Sequence, residues 1–396
     1  MNIRIGLDFD NTIVNYDEVF KEIAIKLKII PKNWKGSKAE LRSYLLKKNY
    51  ENLWKKLQGL VYGKYMSKAK VNPGFKNFLL KAKILKAKVY IVSHKSIYGH
   101  YDKEKHLLRS AALKWIKKNK ITLVEKIYFE STILEKVKKI EELKLDFFVD
   151  DLSLILEHKF FPKKTKKILY NKSLPKIKNK KIILTNTWSR VKSVIFGHDN
   201  VDHLKKYCEY IYKKKIIYLN KIKGQKNSEL YKVKFNDNRY GAIKKYPNLD
   251  EDSRQRLQRE ILAIKVMQKN NFKNITKLIS YNVDLNIALF KWIDGKKIKT
   301  IKNSELSNAV NFIKKLKKIS HSQVKKYFYN AVEPCFTLKD IKNQITQKKN
   351  NLVKNNYSKK IKIFIKFFFN PSFEKTINNT IAKKTFSIKH KKFYWE

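Results

Sequence analysis

Short apolar runs parted by segments of helical periodicity fill the first half of the 396-residue chain, at residues 3–7, 88–92, 126–129, 145–149 and 181–184. Strands separated by helices cannot pair through tight hairpins, so they cross over and run parallel, with helices covering the sheet. The pattern predicts an α/β unit whose ligands sit at the carboxyl ends of the strands, where an open parallel sheet leaves a crevice. Between the first two runs lies a long helical insertion, about residues 16–85, containing "ENLWKKLQGLVYGKYMSKA". Placed after the first strand, it would cover those carboxyl ends and reads as a cap. Its "LQGLVYG" segment reads as helix packing in preference to a substrate-reading surface.

The pattern changes over residues 190–215. Residues 216–247 read as successive antiparallel strands, with turn chemistry at Gly224, at "NDN" and at Pro247. A helix follows in "DEDSRQRLQREILAIKVMQKN", with acidic residues expected in its first turn and basic ones later, as the helix dipole favours. Strand-like "KLISYN" and "IALFKWIDG" come next, then helical segments to the end. A division near residue 205 is expected, into 1–205 and an α+β domain over 206–396.

The strand ends of the first half carry chemistry. "IGLDFDNTIV" (5–14) puts Asp8 and Asp10 past the first strand, "IVSHKS" puts Ser93 past the second, and "FFVDDLS" puts Asp150 and Asp151 past the fourth. Lys136 falls at the start of the helix pattern in "STILEKVKKIEEL". Taken singly, each has an ordinary role, because aspartates make strand-end turns and cap helices. Converging in one crevice, they form two carboxylate pairs, a hydroxyl and an ammonium. Facing carboxylates repel unless a hard divalent cation lies between them, and oxygen ligands suit Mg²⁺. Such a metal neutralises and orients a phosphate. One aspartate can then attack phosphorus, the other can move the proton, and the hydroxyl and ammonium steady the developing charge.

These four motifs, in this order, resemble the haloacid dehalogenase (HAD) superfamily of phosphohydrolases over about residues 1–195. The resemblance implies a Rossmann-like parallel sheet with a helical cap and an aspartyl-phosphate mechanism. "DFDNT" makes Asp8 the implied nucleophile and Asp10 the implied acid/base, with Ser93 and Lys136 on the phosphoryl oxygens. Asp8, Asp10, Asp150 and Asp151 are the implied metal residues, Asp150 the direct ligand of its pair. Lys138 and Lys139 lie close enough to leave the choice of lysine open. His94, Lys95 and "YGHYD" (98–102) are placed to line a substrate entrance, or to form a plain surface loop.

The second half raises a different resemblance. "YGAIKKYP" places Lys244 in a strand and "RLQRE" places Glu260 on the next helix, 260 − 244 = 16 residues later. A strand lysine matched to a helix glutamate is how protein-kinase-like folds hold nucleotide phosphates. With "YKV" and "WIDG", these residues look like the nucleotide lobe of the aminoglycoside phosphotransferase family, which implies ATP at Lys244 and Glu260. The sequence departs from that family twice. The hairpin "KGQKNSELYKV" lacks G-x-G-x-x-G, and no H-G-D-x-x-x-x-N loop occurs between 296 and 396. The expectation is a truncated kinase-like domain or a non-catalytic module. No Walker-type G-x-x-x-x-G-K-[ST] is present.

The formal charge of 91 − 34 = +57 suits polyanions, so a nucleic-acid-binding protein that processes polynucleotide ends is a second candidate function. It ranks below the small-molecule reading because Lys, Asn, Ile, Phe and Tyr are abundant together along the whole chain, the mark of AT-rich codons. A bifunctional phosphatase and small-molecule kinase in a longer parent chain is a third. Two cysteines, Cys208 and Cys335, are too few for a disulfide framework, and the N-terminus runs directly into a strand pattern. The longest apolar stretches, such as "IFIKFFF" (362–368), fall far short of a bilayer span. A cytoplasmic enzyme is expected, acting on a small phosphorylated metabolite such as a sugar phosphate.

Overall fold

The protein is described from a computed structural model covering residues 3–99, 101, 104–175, 179–222, 228–250, 252, 254–295, 301–320, 342–349 and 371–372. Gly224, His100, Asp102, Cys335, the "IFIKFFF" stretch and most of 296–396 lie outside these residues. Two compact units divide the chain: Met1–Gln258 with Thr276–Gly295, and Arg259–Ile275 with Lys296–Glu396.

The first unit opens with β1 (Arg4–Leu7) and a short β2 (Val14–Asn15). The inserted helices α1 (Asp17–Lys26), α2 (Lys38–Lys47) and α3 (Glu51–Tyr62), the segment expected to form a cap, follow, then a short β3 (Lys70–Val71) that pairs back onto β2. From there strands and helices alternate: α4 (Phe75–Ile84), β4 (Lys88–His94), α5 (Leu108–Lys118), β5 (Lys126–Glu130), α6 (Ile133–Glu142) and β6 (Phe147–Asp150). The series ends with α7 (Ser153–Leu156), β7 (Lys166–Tyr170), β8 (Ile182–Thr185), α8 (Trp188–Phe196) and α9 (Val201–Tyr212). Three antiparallel strands come next, β9 (Ile216–Ile222), β10 (Glu229–Phe235) and β11 (Tyr240–Lys245). Helix α10 (Arg256–Lys269) leads to β12 (Leu278–Asn282) and β13 (Ile287–Lys291).

Among the described residues, six parallel strands form one sheet in the order β5-β4-β1-β6-β7-β8. The chain builds outward from β1 to β5, then returns to β1's other side at β6, so the switch point of the sheet lies beside β1. The register sets Leu7 level with Ile91 and Val149. Residues just past these positions therefore meet at one edge. Both faces are covered: Ile5, Leu7, Phe9 and Ile91 join a cluster with Trp115 and Trp188, while Val92, Phe148 and Ile140 join another. Burying each large apolar side chain contributes about 1.5–3 kcal/mol.

Two expectations change. Strand β7 was not foreseen in "KKILY", because lysines crowd a segment whose only buried residues are Ile168, Leu169 and Tyr170. The acidic residues expected in the first turn of α10 precede it. Asp250 instead accepts from Ser189 N at 2.6 Å and Ser189 Oγ at 2.7 Å, and Asp252 pairs with Arg254 and Arg256.

The antiparallel strands form a five-stranded sheet in the order β12-β13-β11-β10-β9. It shares a core with the α/β body. Leu80 of α4 and Leu204 and Cys208 of α9 are buried with Tyr231, Val233, Ile243 and Leu289. Lys81 reaches Asp199 at 2.7 Å, with Lys192 at 3.3 Å and Lys245 at 3.4 Å. This shared core crosses residue 205, so the compact unit does not end there.

The second unit contains α10 from Arg259 onward and α11 (Asn303–Lys317). Val266, Phe272 and Ile319 are buried together, with Phe272 edge-on to Phe312 at 5.3 Å. Lys315 donates to Asn271 O at 2.6 Å and lies over the Phe272 ring. Among the described residues, no helix is long and apolar enough to cross a membrane.

Candidate active site

The site is built where β1, β4 and β6 end together. Asp8 N donates to Val149 O at 2.8 Å, which fixes the end of β1 against β6. The loop after β1 is pinned from two sides: buried Asn72 donates to Asn11 O at 2.9 Å and Thr12 O at 2.8 Å, and Trp188 Nε1 donates to Thr12 O at 3.1 Å. Asn11 turns with φ 60°, a left-handed conformation that Asn tolerates better than most residues.

Lys136 comes from the first turn of α6, which starts at a capping box formed by Thr132 and Glu135. The amphipathic face that buries Val137 and Ile140 also carries Lys136 inward, leaving it 2% exposed. Its Nζ donates to Asp8 Oδ1 and to Asp150 Oδ2, both at 2.6 Å. Ser93, inside β4 and not past its end, donates to Asp8 Oδ1 at 3.0 Å. Asp8 Oδ2 accepts no hydrogen bond from the described residues. Asp150 Oδ1 accepts from Leu152 N at 2.9 Å, and Asp151 Oδ2 from Asn11 Nδ2 at 3.0 Å. Of the three lysines left open, Lys136 occupies this position; Lys139 pairs with Glu142 on the surface.

One carboxylate oxygen from each of Asp8, Asp150 and Asp151 lies within 4.8 Å of the others. Asp10, expected with them, stands apart. Its carboxylate takes Lys95 Nζ at 2.7 and 3.0 Å and Tyr16 OH at 2.5 Å. Burial, and then the Asp150 and Asp10 charges, push the Asp8 carboxyl up to about 7 against the pull of Lys136. Burial and the charges of Asp8 and Asp150 likewise raise Asp151 well above the usual carboxylate range, against the pull of Lys38 and Lys136. Burial would lower the Lys136 ammonium, but Asp150 and Asp8 outweigh it and raise it. Three converging carboxylates share one ammonium, and two of them are driven toward protonation. An oxygen-only donor set with surplus negative charge fits a hard divalent cation.

Sequence reasoning placed Asp8, Asp10, Ser93, Lys136, Asp150 and Asp151, and the structure brings all six to one edge. It missed Asn11, Tyr16 and Lys38, and gave Lys95 a place at a substrate entrance or in a surface loop. Lys95 is buried, its backbone N–H held by Glu130 O at 2.9 Å and its ammonium over the Phe9 and Tyr62 rings. Lys38 of the cap donates to Asn11 Oδ1 and to Tyr62 OH at 3.1 Å. Its position two residues before Glu40, inside the Ser37 capping box, was a legible helix start, but nothing marked its side chain. His94 is exposed, with Nε2 at 2.9 Å from Ser131 O. In "LQGLVYG", Leu57 and Val61 are core, while Tyr62 stands beside Lys38 and Lys95.

Lys244 lies half-buried in β11, opposite Leu230 and Ala288, with its ammonium over the Tyr246 ring at 5.1 Å. Glu260 lies on α10 in the second unit.

No protein-family model matches this chain, and no curated protein matches it. Among solved structures, it is similar to a crystal structure from Thermobifida fusca provisionally named fructosamine-3-kinase, at 12% identity and a TM-score of 0.21. That match covers 25% of this chain and 34% of the other, so the chain spans about a third of that structure's length. A likeness of this size carries no argument about fold or function.

Proposed function

We propose that the parallel-sheet body is a Mg²⁺-dependent phosphohydrolase of the HAD type, acting on a small phosphate monoester. The observation that carries this reading is the Asp8 carboxylate. One oxygen is clamped by Lys136 at 2.6 Å and Ser93 at 3.0 Å, while the other is unengaged by any described residue. A fixed carboxylate with one free oxygen is a nucleophile poised for in-line attack. Asp8, Asp150 and Asp151 would hold Mg²⁺, which when bound neutralises the phosphate and aligns it.

Asp8 Oδ2 attacks phosphorus, and the bond from phosphorus to the leaving oxygen breaks. Asp10, held by Lys95 and Tyr16, delivers the proton to that oxygen. Lys136 and Ser93 donate toward the charge that develops around the transferred group. Water then attacks the phosphorus of the acyl phosphate, gives its proton to Asp10, and orthophosphate leaves with Asp8 restored. The test is Mg²⁺-dependent hydrolysis of p-nitrophenyl phosphate by the full chain. Asp10→Asn should lower kcat by about 10²–10⁴, and undiminished turnover would refute the assigned proton route.

A second reading concerns the five-stranded sheet. An antiparallel five-stranded sheet with a lysine on its third strand in chain order supports a kinase-like nucleotide lobe. ATP binding that is lost in Lys244→Met is its test; binding unchanged by that substitution removes it.

A further inference from the structure

Lys38 is a cap cation that the hydrolytic steps leave unused. It is the first residue of α2, and the Ser37 capping box holds it there: Ser37 N and Oγ donate to Glu40 Oε2 at 2.7 and 2.9 Å. The nearest acid in sequence is thereby occupied. The half-buried ammonium lies over three rings, at 4.6 Å from the Phe20 centroid, 5.5 Å from Tyr62 and 5.6 Å from Tyr16. Its hydrogen-bond acceptors are Asn11 Oδ1 and Tyr62 OH, both neutral. Among the described residues no carboxylate forms an ion pair with it. An ammonium has three donors, and these contacts use two.

Asn11 separates this cation from the acidic centre, since its Nδ2 faces Asp151 at 3.0 Å while its Oδ1 takes Lys38. Lys38 is therefore one side chain beyond the groups that hold a scissile phosphate. Lys136 and Lys95 are already matched to carboxylates at 2.6 and 2.7 Å, whereas Lys38 acts on Asp151 only at a distance and forms no ion pair among the described residues. A half-desolvated ammonium caged by rings and neutral oxygens is completed by an incoming anion.

We propose that Lys38 receives a second anionic group on the substrate. The site then takes phosphate monoesters whose alcohol half bears a carboxylate or a second phosphate, a short chain away from the scissile one. This rests on the phosphohydrolase reading.

Calorimetry on the full wild-type chain with Mg²⁺ tests it, using ligands whose carbon–phosphorus bond cannot be hydrolysed. 3-Phosphonopropionate and propane-1,3-diylbisphosphonate should each bind at least about tenfold tighter than propylphosphonate. Whichever anionic tail binds tighter identifies the group recognised. Lys38→Met, which keeps the aliphatic stem over the rings, should erase the difference, and Lys38→Arg should retain most of it. Equal affinities in the wild type, or a difference that survives in Lys38→Met, overturn the assignment while aryl-phosphate hydrolysis leaves the parent reading standing. No binding of any of the three, with no aryl-phosphate hydrolysis, overturns both.

Discussion

Lysines at the carboxyl end of the parallel sheet and on the strands of the antiparallel sheet differ in how far they leave water. At the carboxyl end of the parallel sheet, Lys95 and Lys136 are buried and meet carboxylates at 2.7 and 2.6 Å, across 85 and 128 residues of sequence. In the antiparallel sheet, Lys232 and Lys234 lie over the Tyr240 ring, and neither is buried. In a chain of charge +57 a lysine by itself says almost nothing. Desolvation separates the two sets, because an ammonium leaves water only for partners that repay the loss.

The widest gap between the regions should appear in stability. Lys136→Met leaves Asp8 and Asp150 buried and facing each other, and should cost about 3–5 kcal/mol in metal-free denaturant unfolding. Lys232→Met, at a half-buried strand position beside the Tyr240 and Trp292 rings, should cost no more than about 1 kcal/mol. Similar costs at the two positions would break the contrast.

A pH titration sharpens it next. Between the unfolded value of 3.8 and about 7, folded Asp8 keeps a proton that the unfolded chain has released. Stability from this group is therefore full below the unfolded value and is lost as pH rises through about 7. The wild type minus Asp8→Asn difference should fall by on the order of 3–4 kcal/mol from pH 4 to pH 8 in chelator. Saturating Mg²⁺ should cancel most of that fall, since the metal needs the ionised carboxylate. A difference that is flat with pH in chelator would mean Asp8 is not desolvated as described.

The smallest expected effect tests how Lys136 is delivered. Thr132→Ala removes the cap of α6 and should cost about 1 kcal/mol. It should also lower kcat for an aryl phosphate, whereas Asn200→Ala, which uncaps α9 away from the site, should cost similar stability and leave kcat alone. Equal kcat losses from the two would show that α6 has no special part.

The legible part of the fold was what strand–helix alternation dictates. Asp8, Ser93, Lys136 and Asp150 could be read because each sits at a fixed point relative to an apolar run. The unread part came from elsewhere. Strand β7 hides among lysines, and Asp250, which reads as a helix-dipole residue, is taken by Ser189 across 61 residues of sequence. Lys38 and Lys95 could not be told from the other basic residues, because their meaning lies in the rings and carboxylates they meet. Asp10 entered the metal group through the family resemblance of "DFDNT". Its side chain points to Lys95 and Tyr16, a choice made by the loop and the cap.

The central claim is that Asp8 itself attacks phosphorus. The direct measurement is to quench the full chain during turnover of an aryl phosphate with Mg²⁺, reduce it with borohydride, and map the peptides. The account predicts homoserine at position 8, absent without substrate, and loss of at least about a thousandfold in turnover for Asp8→Asn. Steady phosphate release with an unmodified Asp8, or turnover retained in Asp8→Asn, would contradict it.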